Sequence, residues 1–141
     1  MRGRLIVVAV VAALAGGAAI WLSSSDGSRS ATPRGFPPRT LEAGGVRVVI
    51  QPARIDGSGA VFRITLDTHS GDLGVDLARA ARLEVAGTAW GTPEWDGDPP
   101  GGHHRRGELS FPSRGSPAGL ARLTIGGLPT PVVAEWTLGA G

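Results

Sequence analysis

The 141-residue chain contains no cysteine. That absence excludes a disulfide framework, a thiolate metal site, a lipid-modified amino-terminal Cys and a cysteine nucleophile. Lysine is missing too, since all fourteen basic residues are Arg. The sole methionine is Met1, so no thioether cluster for Cu(I) exists. No nucleophile elbow, phosphate loop or His-Glu-x-x-His pattern occurs, and no internal repeat. Asp67, His69 and Ser70 lie too close together in sequence to form the orienter–base–nucleophile line of a serine triad. The expectation is a protein that is not an enzyme.

A basic stripe with interleaved aromatics is also lacking, although the isoelectric point near 10.9 suggests nucleic acid. Charge placement explains the discrepancy. Residues 1–39 hold five arginines against Asp26 alone, whereas residues from Thr40 onward hold nine against eleven acids. The folded part is slightly acidic, and nucleic acid is not an expected partner.

What is present begins with Met1-Arg2-Gly3-Arg4 and an uncharged run from Leu5 to Leu22. As a helix the run would span about 27 Å, close to a bilayer's hydrocarbon core. Arg2 and Arg4 would hold residues 1–4 in the cytoplasm, and Trp21 suits the interface. The reading is a transmembrane signal-anchor over 5–22, with a cleaved signal peptide ending at the small serines as the alternative. In both cases the remainder is exported, and the anchor reading makes the protein a single-pass resident of the cell membrane. Residues 23–44, rich in Pro, Gly, Ser and Arg, read as a disordered linker, of which residues 23–39 fully stretched would reach about 50 Å.

The domain is expected over 45–141. Many glycines and prolines favour short elements and frequent turns. Val46–Ile50 reads as a strand that Pro52 ends or marks as an edge. Asp56–Gly59 is a turn, and Val61–Asp67 a strand with Phe62, Ile64 and Leu66 on one face. Residues 75–81 suit a helical turn, and 83–85, 108–111, 121–125 and 132–136 suit strands. Trp90 and Trp95 read as core or loop-covering aromatics. Short strands about ten residues apart imply an all-β fold: an antiparallel two-sheet sandwich, immunoglobulin-like, after an N-terminal transmembrane helix.

The chain's most unusual stretch runs from Trp95 to Pro112. Pro99 and Pro100 stiffen it, Gly101 and Gly102 permit a reversal, and His103, His104, Arg105 and Arg106 follow. Leu109 and Phe111 then alternate with Glu108 and Ser110. A rigid loop delivering histidines suits a binding rim, and equally a structural loop whose imidazoles bond to backbone. Asp67-Thr68-His69-Ser70 supplies the third histidine, with Asp67 and His69 on one face if the chain stays extended. A divalent metal site would draw on Asp67, His69 and His103 or His104, supplemented by Asp72, Glu94, Asp96 or Asp98. Such N/O ligands suit Zn²⁺ or Cu²⁺, and carboxylates alone suit Ca²⁺. Adjacent residues on an extended chain face opposite ways, so His103 and His104 would not share one ion. No other cofactor is implied.

The Asp67–Ser70 segment together with Pro99–Arg105, Gly107 and Leu109–Pro112 resembles a family of small exported bacterial β-domains. The resemblance covers residues 46–136 and implies an extracytoplasmic β-sandwich in which both histidine segments are family features. It implies no activity. The functional expectation is a non-catalytic binding or interaction module at a membrane, partnered by that membrane and another exported or membrane protein. Divalent metal binding is the alternative.

Overall fold

The computed structural model describes residues 35–139. Alternating apolar and polar residues form strands β1 (Arg39–Glu42), β2 (Val46–Asp56), β3 (Gly59–Thr68), β4 (Ala81–Val85) and β5 (Thr88–Ala89). β6 (Glu94–Gly97), β7 (His104–Pro112), β8 (Gly119–Ile125) and β9 (Val132–Leu138) complete the set, and α1 (Leu77–Ala80) is one short helical turn before β4. One sheet has the order β1-β2-β3-β7-β6 and the other β5-β4-β8-β9, with all paired strands antiparallel. The fold is therefore all-β with two sheets, as the turn spacing predicts.

The sheets close face to face over one core. Phe62, Ile64 and Leu66 on β3 are buried, as are Leu109 and Phe111 on β7 and Trp136 on β9. The Phe62 ring lies 5.5 Å from Trp136 in the opposite sheet and meets Phe111 edge-on at 6.0 Å. Aromatic contacts of this kind span the roughly 10 Å between stacked sheets.

The sheet begins earlier than the sequence reading has it. Arg39–Glu42, inside the expected linker of residues 23–44, pairs with β2 from Arg39↔Ile50 to Glu42↔Arg47. The residues before it form a strap across both sheets. Phe36 O accepts from Gln51 Nε2 at 3.2 Å and Pro37 O from Trp136 Nε1 at 2.8 Å. Arg39 then donates to Glu135 O at 3.0 Å. Polar composition conceals this segment because its main contributions are backbone acceptors. The expected anchor at 5–22 and the linker's residues 23–34 lie outside the described residues. Among those described, no helix is long and apolar enough to cross a membrane.

Three further boundaries differ. β2 continues through Pro52 with a bulge before Arg54. β1 has ended beside Ile50, and Pro52 O faces the open side, accepting from Gln51 Nε2 at 3.1 Å. No ladder donor is asked of the proline there. β6 is a strand in a stretch expected to be loop, and β7 begins at His104 rather than Glu108. The residues around Pro99 therefore form the loop of a β-hairpin.

The registers also separate two ends. The chain enters at Gly35–Pro38, beside Gln51, Pro52, Ala53 and Arg63. Residues 43–45, 69–76, 98–103 and 126–131 gather at the opposite end, where Gly44 abuts Pro129 and Thr68 N–H donates to His103 O.

Candidate functional site

At that loop end the two histidine segments meet through their backbones. Thr68 N–H donates to His103 O, Leu73 N–H to Gly102 O and Gly101 N–H to Leu73 O, each at 2.9 Å. Asp72 Oδ1 accepts from Gly102 N–H at 2.5 Å. This zipper requires the reversal at Gly101 and Gly102, whose φ values of 119° and 74° lie in the region that favours glycine.

The side chains converge differently from the sequence expectation. Asp67 pairs across the sheet with His104, not along its own strand with His69. His104 Nδ1–H donates to Asp67 Oδ1, which leaves Nε2 as the acceptor. Arg106 fills it, donating from Nε at 3.1 Å and Nη2 at 2.7 Å. A carboxylate–imidazole–guanidinium chain thus lies on the outer face of the five-stranded sheet, about half exposed.

His69 lies beyond the end of β3 and lines a shallow depression with Glu42, Arg47 and Asp67. His103 is exposed at the loop's exit. Of the supplementary carboxylates, Asp72 is engaged by Gly102, and Asp98 Oδ2 accepts from Arg106 N–H at 2.9 Å. Glu94 and Asp96 sit on edge strand β6, with Asp96 opposite Glu108. Among the described residues, no group of three or more His, Asp or Glu side chains is placed to hold a metal ion.

The residue that organises this end is Arg105, which sequence reading passed over. It is 1% exposed and extends beneath the loops. Nη1 donates to Leu73 O at 3.0 Å and Val75 O at 2.7 Å, and Nη2 donates to Asp98 O at 3.2 Å. The guanidinium also stacks 5.5 Å from the centre of the Trp95 ring. Burial pushes its pKa down, while the charges of Asp98, Asp76 and Asp72 pull it back up. Two loops distant in sequence are thereby held to one rigid fork. The signal was available: Arg105 shares its strand parity with Leu109 and Phe111, so a strand begun at His104 turns it inward.

Trp95 reaches Arg105 because nothing stands between β6 and β7 at Gly97 and Gly107. These glycines face each other in register. A Cβ on Gly97 would come within 2.9 Å of Trp95 Cζ2, and one on Gly107 within 2.7 Å. The indole lies across this gap, and its Nε1–H donates to Asp98 O at 2.9 Å.

These features define an all-β, two-sheet domain with a pre-formed loop end. No family model, no curated protein and no solved structure matches the chain.

Proposed function

We propose that the protein is a non-catalytic interaction module, exported and tethered to a membrane by its N-terminal apolar segment, and partnered by another exported or membrane protein. The observation that carries this reading is the buried Arg105, which organises the loop end before any ligand arrives. Loops ordered in advance spare an interface the entropy of ordering them. The non-catalytic part is supported at His104, whose Nε2 would have to take a proton in base catalysis but is occupied by Arg106. The uncharged run from Leu5 to Leu22 supports the tether. An immunoglobulin-like relationship belongs to the same proposal, supported by two antiparallel sheets with loops gathered at one end.

Photo-crosslinking in intact membranes tests it. A crosslinking residue placed in turn at His69, His103 and Arg82 of the full chain should yield a discrete protein adduct. Arg105→Ala should weaken or remove the adduct at His103. Silence at all three positions removes the reading.

Metal binding is the second reading: Asp67 and His69 line one depression with Glu42, and an ion would have to draw Asp67 from His104 and Glu42 from Arg47, their present partners. An ion bound only by the folded state at a hundredfold excess over Kd adds about 2.7 kcal/mol. That should raise Tm by roughly 10–20 °C in Zn²⁺, Cu²⁺ or Ca²⁺ relative to chelator, and His69→Ala should abolish the rise. Equal melting with metal and with chelator rules this reading out.

A further inference from the structure

We propose that the outer face of the four-stranded sheet binds an extended acidic peptide segment of a partner protein. An acidic side chain would seat on Arg79 and Arg82, and an apolar one on Pro131 and Val133. The proposal rests on the interaction-module reading and names the partner's chemistry.

A depression of about 660 Å³ crosses this face from α1 over β4 and β8 to β9. A second, of about 370 Å³, adjoins it, and Arg79, Ala81 and Arg82 stand in the walls of both. The charges along the face are unequally satisfied. Arg122 is held by Glu135 at 2.7 Å and has Glu84 opposite it on β4, so this part of the depression carries two acids against one arginine, and the free guanidiniums lie at its α1 end. Two residues before Glu84 on the same face, Arg82 is opposite Thr124, and among the described residues it has no ion-pair partner. Arg79 has a side chain 90% exposed and, among the described residues, pairs only with Asp76, at 3.5 Å. Two guanidiniums with spare donors therefore share one wall, a geometry suited to a carboxylate. Trp90, in the second depression's wall, adds a buried Nε1–H without an acceptor.

The opposite side of the depression is apolar. Val133 is 48% exposed, one of two large apolar side chains so exposed among the described residues, and Pro131 lines the same depression. Arg82, Thr124 and Val133 form one row across β4, β8 and β9. Two strand spacings separate its ends, about 10 Å. A polyproline II chain rises about 3.1 Å per residue and returns to the same face every third residue. An acid at one position and an apolar residue three further on therefore match the row. The arginine wall is in turn set by the loop end, because Arg105 holds Val75 O immediately before α1.

The test uses the full chain in nanodiscs and fluorescence anisotropy of a labelled peptide repeating Glu-Pro-Pro-Val, with Lys-Pro-Pro-Val as control. The acidic peptide should bind, the basic one should not, and binding should weaken as salt screens the contact. Arg82→Glu should weaken it about tenfold and Val133→Ser about threefold, while Arg63→Glu on the other sheet leaves it unchanged. No binding, equal binding of both peptides, or an Arg82→Glu protein that binds like the parent overturns the proposal. If the peptide fails to bind while the crosslinker at His103 still gives its adduct, this site is wrong and the interaction reading survives.

Discussion

Arg105 is unusual in meeting a buried charge with backbone carbonyls and an indole face rather than with a carboxylate in direct contact, and its Nε–H is buried without an acceptor. Among these acceptors, Val75 O has no other donor among the described hydrogen bonds, whereas Asp98 O is shared with Trp95 Nε1. Arg105→Ala should accordingly cost about 3–5 kcal/mol, the scale for stranding buried polar groups. Arg105→Lys should recover little, because one ammonium cannot reproduce a planar fork reaching three carbonyls. Urea unfolding of the three proteins measures this, and a loss under about 1 kcal/mol for Arg105→Ala would show that the loops hold themselves. The adjacent parity gives a second comparison. Phe111 is 2% exposed, whereas Glu108 makes only an exposed 3.3 Å pair with Arg63. Phe111→Ala should cost about 3–5 kcal/mol and Glu108→Ala under about 1, and equal small losses would contradict the strand phase.

Among the elements, the β2–β3 hairpin has a turn whose chemistry responds to pH. Asp56 caps it, accepting from Ser58 N–H at 2.8 Å and from the Ser58 hydroxyl. Those bonds, the hydroxyl's first, hold its carboxyl below the ordinary value of 3.8, with Arg54 assisting. A depressed folded pKa stabilises the turn above the unfolded value, and this contribution disappears as pH falls through the lowered one. The Ser58 amide resonance should therefore titrate with a midpoint below 3.8, and Asp56→Asn should remove the titration. A midpoint at or above 3.8 would contradict the capping bonds. The β6–β7 hairpin works by steric fit instead, since Gly97 and Gly107 make the gap that Trp95 covers.

For the whole molecule, the strap of residues 35–38 and β1 determine where the domain starts. They link the five-stranded sheet, through Gln51 and β2, to Trp136 and Glu135 in the four-stranded one. A chain beginning at Val46 loses these bonds and leaves the Trp136 Nε1–H without its acceptor. It should melt about 10 °C or more below a chain beginning at Gly35, given about 4–8 °C per kcal/mol for domains near this size. Equal melting temperatures would show that the domain begins at β2.

Local pattern carried much of the architecture. The period-2 runs at Val61–Asp67, Leu109–Phe111, Ala121–Ile125 and Val132–Trp136 are strands in the structure because alternation has only one way to bury its apolar side. Turn residues marked the β2–β3 hairpin and the α1 corner, since Gly, Pro and Asp act within a few positions of themselves. Side-chain partners were not legible in the same way. Whether Asp67 meets His69 or His104 depends on the register of β3 against β7, a relation between residues 37 apart. The burial of Arg105 was not legible either, because its three carbonyl acceptors come from loops 7 to 32 residues away. The sequence by itself determined the two-sheet, all-β class, through periodicity. Only the tertiary structure decided which charges lie buried and which stay exposed, because a backbone acceptor leaves no trace in residue type.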